Sequence, residues 1–177
     1  MFSKLGPVIT LIALVGLGLW SLAAYSEHKE QLQVKETERY IEEFESGPVA
    51  AAWSRLREVW DEQTSHRMAL LTRFQIDPNA ERAALSNYRL LTFEIVENNK
   101  LTGEIDTVIG FFGGLGICIR VGNCDAQRAS QYFGDIAWQF HDENLYFLKE
   151  ERPNSTFGLD LRTVAPRSDD ELEFFGP

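Results

Sequence analysis

A long apolar run near the amino terminus is the strongest hydrophobic pattern in the chain. Charged side chains stop at Lys4 and resume at Glu27, and nearly all residues between them are apolar. As a helix rising 1.5 Å per residue, residues 5–26 span about 33 Å, which matches the roughly 30 Å hydrocarbon core of a bilayer. Trp20 and Tyr25 lie near the end of the run, where aromatic rings favour the membrane surface. The pattern predicts a transmembrane helix over residues 5–26 that contacts the lipid bilayer.

A cleaved signal peptide is the competing interpretation of this run. Ser21 with Ala23, and Ala24 with Ser26, place small residues at the positions that a signal peptidase reads. The apolar stretch is nevertheless longer than the roughly 7–15 residues of a typical signal-peptide core, which favours an anchor that is retained. A buried helix of a soluble protein fits less well, because such helices usually carry a polar stripe and this run has none.

Beyond the membrane run, apolar residues recur at helical spacing. Residues 27–46 are rich in Glu, Lys and Gln and contain neither Pro nor Gly, which favours a charged juxtamembrane helix. Spacings of three and four residues predict five further helices, over about 48–63, 66–74, 78–98, 102–121 and 126–151. Asp77, Thr102 and Asp125 are the expected helix caps, and Gly122 is expected to end the fourth of these helices.

The helices predicted beyond the membrane run indicate the fold class. No segment shows the alternation of apolar and polar residues that is typical of a strand. We predict an all-α fold with one transmembrane helix, a small helical bundle over residues 47–152 and an irregular acidic tail over residues 153–177. Pro153 marks the start of the tail, since proline cannot continue a helix and no sustained period follows it.

Composition and charge exclude several classes of function. The 177 residues carry 17 Lys and Arg against 27 Asp and Glu, for a net charge of -10. Nucleic-acid binding depends on neutralising phosphates, so no nucleic-acid partner is expected. Two cysteines cannot form a disulfide framework or a zinc finger. We expect Cys118 and Cys124 to be separate structural thiols, and a bridge across the helix end is the alternative in an oxidising compartment.

The cations that flank the membrane run bear on its orientation. Lys4 and the free amine precede the run, whereas Lys29, Lys35 and Arg39 follow it. The positive-inside rule therefore favours a cytoplasmic domain. A short positive amino terminus before an apolar run is also how a signal anchor begins, so a periplasmic domain stays the alternative.

A glycine-rich apolar segment stands out within the predicted bundle. Residues 107–119 are uncharged, too short a run to span a bilayer, and include the small-xxx-small pair Gly110 and Gly114. Each glycine costs roughly 1 kcal/mol in a helix interior, so the cluster needs a reason. Close packing of a neighbouring helix is favoured over a dimer contact or membrane re-entry. The residues predicted to make this helix-packing or partner contact are Gly110, Phe111, Phe112, Gly113 and Gly114.

No catalytic, cofactor-binding or metal site is predicted from the sequence. His141, Asp142 and Glu143 are consecutive, and consecutive side chains of a helix point about 100° apart, so they cannot share an ion as residues at i and i+4 do. The chain has no HExxH or GxSxG motif, and its glycines do not form a nucleotide-binding loop. We expect no cofactor and no enzymatic activity.

The segment from residue 109 to 152 resembles a known family. Its FF pair at 111–112, LGICIR at 115–120, GNCD at 122–125 and YFG at 132–134 are similar to the uncharacterised bacterial family known as domain of unknown function 4760. This chain has Gly113 where that family tends to have an acidic residue. The resemblance implies a bacterial inner-membrane protein with one amino-terminal membrane helix, a charged helix and a helical domain, and it implies no activity.

Two functions follow from these patterns. The first is a non-enzymatic, single-span membrane protein whose helical domain binds a protein partner or a second copy of itself. The second is a membrane-tethered sensor or enzyme with a small-molecule or metal pocket among the helices, near His141 and Cys118. The acidic tail, which carries Phe174 and Phe175, is a further candidate docking segment.

Overall fold

The computed structural model describes residues 6–74, 81–151 and 157–165. These residues form six helices: α1 (Gly6–Ser46), α2 (Pro48–Phe74), α3 (Glu81–Asn99), α4 (Thr102–Arg120), α5 (Ala126–Glu151) and α6 (Phe157–Val164). No strand occurs in these three ranges, so the all-α prediction is confirmed for them. The predicted cap Asp77 and the tail beyond residue 165 lie outside the described residues.

Helix α1 is a single helix of 41 residues that contains most of the predicted membrane run and the whole juxtamembrane helix. Every side chain from Trp20 to Leu32 is exposed, and the first partly buried one is Gln33. The helix ends before Gly47, where the Cβ of any other residue would lie 2.5 Å from the Glu43 carbonyl oxygen. A glycine at this position therefore allows the tight turn into α2.

Helix α2 shows that the prediction of two helices over 48–63 and 66–74 is wrong. Its 27 residues run without a break through Thr64, where the apolar pattern lapses. The lapse reflects a stretch of helix that faces solvent, because Thr64 and Ser65 are exposed. The Thr64 hydroxyl donates to the Trp60 carbonyl oxygen at 3.0 Å, so its hydrogen bond is made within the helix.

The turn between α3 and α4 differs from the predicted one. Lys100 adopts a left-handed conformation with φ 56°, and the Leu101 amide donates to the Val96 carbonyl oxygen at 2.9 Å, a pattern that commonly ends helices. Leu101 is buried and occupies the N-cap position, with Thr102 as the first residue of α4. The predicted Thr102 cap is wrong because burial of Leu101 fixes where α4 begins.

The turn between α4 and α5 follows the prediction. Gly122 is left-handed with φ 73°, and the Asn123 amide donates to the Cys118 carbonyl oxygen at 3.0 Å, so α4 ends on a glycine cap. Asp125 caps α5 by accepting a hydrogen bond from the Arg128 amide at 3.0 Å.

Helix α6 lies within the segment predicted to be an irregular tail, and that prediction is wrong for residues 157–165. Leu161, Val164 and Ala165 are buried, and the helix packs on α4 and α5. A helix of eight residues is too short to show a sustained period in the sequence. The helical domain therefore extends beyond Pro153.

Helix α4 lies at the centre of the domain, where aromatic rings meet. Ring centroids 5.4 to 6.4 Å apart link the side chains of Phe44, Phe111, Phe112, Phe133 and Phe140. Among the residues whose side chains the structure describes, which in α1 begin at Trp20, α4 is also the one helix long and apolar enough to cross a membrane, with a mean hydropathy of 1.3. Buried core helices pass the same test, and α4 contacts both α2 and α6.

Candidate functional site

The five predicted contact residues, 110–114, all lie on α4, some in the core and some at the surface. Phe111 and Phe112 are buried among the aromatic rings and offer no exposed edge. Gly110 is exposed, and nothing lies within 4 Å of the position its Cβ would take. Gly113 and Gly114 are partly buried. Of the five predicted contact residues, Gly110 is therefore the one that is open to a partner.

Two other helices pack closely against α4 at its later glycines. A Cβ on Gly114 would lie 3.4 Å from the Tyr40 hydroxyl of α1, and one on Gly113 would lie 3.7 Å from a carboxylate oxygen of Asp160 on α6. The approach is closest at Gly116, where a Cβ would lie 2.9 Å from the Asp160 Cβ and 3.0 Å from its Cα. Close helix packing, expected for the glycine cluster that also includes Gly116, is thus tightest at Gly116 and absent at Gly110 among the described residues.

Asp160 is a buried carboxylate at this helix crossing. Its residue is 3% exposed, and its Oδ1 accepts a hydrogen bond from Arg120 Nη1 at 2.5 Å. Burying a carboxylate is costly unless it is paired in this way. The ion pair joins the end of α4 to α6. Local sequence patterns do not indicate this pair, because 40 positions separate the two residues.

Cys118 and Cys124 are joined by a disulfide bond, so the expectation of separate thiols is wrong. The sulfurs are 2.08 Å apart and the Cα atoms 5.3 Å apart. The left-handed Gly122 turns the chain back over the end of α4, and the Cys124 amide donates to the Cys118 carbonyl oxygen at 3.2 Å. Both thiols are consumed by the bond, which leaves neither as a nucleophile or a metal ligand.

The disulfide-closed turn, residues 118–125, is also where α1 joins the domain. The Gln33 side-chain amide donates to the Gly122 carbonyl oxygen at 2.8 Å. The buried Thr37 hydroxyl accepts the Asp125 amide at 2.8 Å and donates to the Gln33 carbonyl oxygen at 2.9 Å. These bonds fix the register of α1 against the turn.

Further along, α1 is held by α5. The Tyr132 hydroxyl donates to the Glu45 carboxylate at 2.6 Å, and this hydrogen bond, with some burial, raises the pKa of Tyr132 to about 12. Arg128 pairs with Glu38. Both members of that second pair are exposed, and exposed ion pairs contribute little to stability. The carboxy-terminal part of α1 is therefore an integral helix of the domain.

His141 and Cys118 do not share a pocket. The His141 ring stands edge-on to Trp138 with centroids 5.3 Å apart, and its Nδ1 lies 3.2 Å from the Asp142 carboxylate. Cys118 is bonded to Cys124 at the start of α5, and at 1.5 Å per residue His141 lies about 25 Å farther along that helix. In the described part of the chain, no group of three or more His, Cys, Asp or Glu side chains is placed to hold a metal ion.

A polar cluster that sequence patterns did not indicate lies between α2 and α5. Glu143 accepts hydrogen bonds from Arg57 at 2.8 Å and from Gln139 at 3.2 Å. Burial raises the pKa of Glu143, and attraction to Arg57 and Arg67 opposes that rise. Spacing could not reveal the cluster, because Arg57 and Glu143 are 86 positions apart.

Three buried polar atoms on α2 and α5 have no hydrogen-bond partner among the described residues. They are Trp60 Nε1, Glu143 Oε2 and Asn144 Oδ1. Arg67 lies beside the first of these residues, because its guanidinium is 4.8 Å from the Trp60 ring centroid and donates to the Tyr88 hydroxyl at 2.7 Å. One donor and two acceptors without partners are the groups that a small polar molecule would satisfy.

Comparison of the chain with protein-family models, with curated proteins and with solved structures found no match. The resemblance of residues 109–152 to domain of unknown function 4760 thus stays a prediction from the sequence. The function is inferred below from geometry and chemistry.

Proposed function

We propose that this chain is a single-span membrane protein whose acidic helical domain binds a protein partner or a second copy of itself, without catalysis. The observation that carries the proposal is the length of α1 and the exposure of its side chains. It is one helix from Gly6 to Ser46, and Trp20 and Tyr25 on it are 71% and 69% exposed. From Trp20 onward, the first side chain that is partly buried and hydrogen-bonded to the domain is Gln33. An apolar sequence over residues 5–26 that continues into exposed helix from Trp20 to Leu32 suits a bilayer.

Alkaline carbonate releases peripheral proteins from membranes. Extraction with it therefore tests whether residues 5–26 anchor the chain, which is called the membrane tether below. We expect the full chain to stay in the membrane pellet. Leu14→Arg places a charge near the middle of the span, at a cost of about 2.5–3.5 kcal/mol, and should reduce the membrane-bound fraction. Leu32→Arg, on the exposed part of α1 beyond the span, is the matched control and should stay bound. Release of the unchanged chain would contradict the proposal.

The domain belongs, in this proposal, on the periplasmic side of a bacterial inner membrane. The disulfide between Cys118 and Cys124 supports that side, because cytoplasmic thiols are kept reduced. The positive-inside rule favours a cytoplasmic domain by a small margin only. Lys4 and the amine precede the span, and Lys29, Lys35 and Arg39 follow it. The disulfide is therefore the stronger guide to orientation.

Gly110 is the point on α4 at which we propose contact with a partner or a second copy. Gly110→Leu adds a side chain to an open surface, so the domain should stay folded while the size of the detergent-solubilised complex changes. Gly116→Leu is the contrasting variant and should unfold the domain, because α6 blocks the space there. An unchanged complex size in the folded Gly110→Leu protein would exclude this face as the contact.

A membrane-tethered sensor for a small polar molecule is the second candidate. It is favoured by the three unpartnered buried atoms of Trp60, Glu143 and Asn144. Thermal unfolding in the presence of a panel of small polar compounds and divalent ions tests it. A rise in melting temperature that Asn144→Leu abolishes would support a ligand bound at Asn144. The absence of any rise across the panel would count against the sensor.

A further inference from the structure

We infer that the disulfide-closed turn rests on the surface of the same membrane that α1 crosses. The contact is made by a patch consisting of Ile117 on α4, Val121 at the C-cap of α4 and Lys29 on α1, called the turn patch below. The inference deepens the proposed function and rests on the membrane span of residues 5–26.

The register of α1 places the turn close to the membrane. Gln33 is bonded to Gly122, and about 10 Å of helix separates Gln33 from the end of the predicted span at residue 26. The headgroup layer outside the hydrocarbon core is itself about 5–8 Å thick. The turn therefore lies within a few ångströms of the headgroups. Transmembrane helices tilt by about 20° on average, and a tilt towards the turn closes the gap.

The two apolar members of the turn patch are exposed on one face of α4. Val121 is 62% exposed and Ile117 is 53% exposed, and residues at i and i+4 of a helix are neighbours. Val121 lies at the level of Gln33, and Ile117 is about 6 Å farther from the membrane along α4. Docking would bury the Val121 side chain first. The Ile117 side chain would follow as α1 tilts further towards the turn.

The charges around the turn make the expected contact mainly apolar. Lys29 Nζ lies 3.9 Å from the position of a Cβ on Gly122 and can meet an anionic headgroup. Glu27 and Glu30 are exposed on the same stretch of α1 and offset this attraction. Arg120 is already paired with a carboxylate of α6. Docking should therefore depend little on salt concentration.

The test places an environment-sensitive fluorophore at Val121→Cys in the full chain. The protein is reconstituted into vesicles of phosphatidylcholine and phosphatidylglycerol. The introduced thiol is the one that reacts, because Cys118 and Cys124 are bonded to each other. Leu90→Cys is the matched control, since Leu90 is 58% exposed but its neighbour Arg89 pairs with Glu150 at the far end of α5.

We expect the label at Val121 to show blue-shifted emission, quenching by spin-labelled lipid and loss of quenching by iodide. The label at Leu90 should remain open to iodide. If the protein floats with the vesicles but both labels are equally open to iodide, the docking is overturned and the tether stands. If the protein does not float, both are overturned. Shielding at Val121 that grows with protein density would assign the patch to a second copy and overturn the lipid contact.

Discussion

Gly116 on α4 and Asp160 on α6 lie so close together that a Cβ on Gly116 would stand 2.9 Å from the Asp160 Cβ. Two of the three nearest atoms, at 3.0 and 3.2 Å, belong to the Asp160 backbone and cannot rotate away. The position of α6 therefore depends on the absence of a side chain at Gly116. The more conspicuous Gly110 faces open space.

Replacing Gly116 by Ala should destabilise the domain although alanine favours helices. Overpacking costs about 1–3 kcal/mol, and the upper part of that range is expected here because backbone atoms of α6 must move. This cost exceeds the roughly 1 kcal/mol gained in helix propensity. Gly110→Ala is the control and should raise the free energy of unfolding by about 0.5–1 kcal/mol, because only propensity changes. Urea unfolding in detergent measures both. Equal stabilisation by the two variants would show that α6 does not cross at Gly116.

Replacing Arg120 by Met should destabilise the domain by breaking its ion pair with the buried Asp160 carboxylate. Breaking a buried ion pair costs about 3–5 kcal/mol, and partial exposure of Arg120 places the expected loss at the lower end. Arg39→Met breaks the exposed pair with Glu36 and should cost less than about 1 kcal/mol. The two unfolding free energies are compared under identical conditions. Similar losses would mean that the Asp160 carboxylate is not buried.

Replacing both Cys118 and Cys124 by Ala should lower the free energy of unfolding by about 2 kcal/mol, as expected for a short disulfide loop. The unchanged chain should react with a thiol-specific reagent only after reduction. Because the turn holds Gln33, the double variant should also increase proteolytic cleavage of α1 near that residue. Rapid thiol labelling of the native chain without reductant would contradict the bond.

Replacing Glu143 by Gln should change how stability depends on pH. Burial favours the neutral acid, so the folded domain binds this proton more tightly than the unfolded chain, whose glutamate pKa is about 4.5. The resulting stabilisation is present below pH 4.5 and is lost as the pH rises through the higher folded pKa. The Glu143→Gln variant should therefore gain stability relative to the unchanged chain as the pH rises. A difference that shifts the other way would show a carboxylate stabilised by Arg57.

Local signals in the sequence were sufficient for several elements of this fold. Helix α5 begins after Asp125 and ends at Glu151 as predicted, because its cap and its apolar face are both encoded within the helix. Gly122 likewise marks the end of α4. These features depend on interactions between residues a few positions apart.

Other elements depend on partners that are distant along the chain. Helix α6 is fixed by Gly116 and Arg120, neither of which indicates a helix 40 residues later. The Arg57 and Glu143 pair requires α2 and α5 to be adjacent. The disulfide is an intermediate case, since its spacing allowed a bridge but the choice depended on the compartment.

The most direct test of the account is a pair of fusions after Pro177, one to a reporter active only in the periplasm and one to a reporter active only in the cytoplasm. We predict periplasmic activity that stays in the carbonate-washed membrane fraction at the size of the full fusion. Activity of the cytoplasmic reporter alone would contradict the orientation. Periplasmic activity in the soluble fraction, on a shortened product, would contradict the membrane tether.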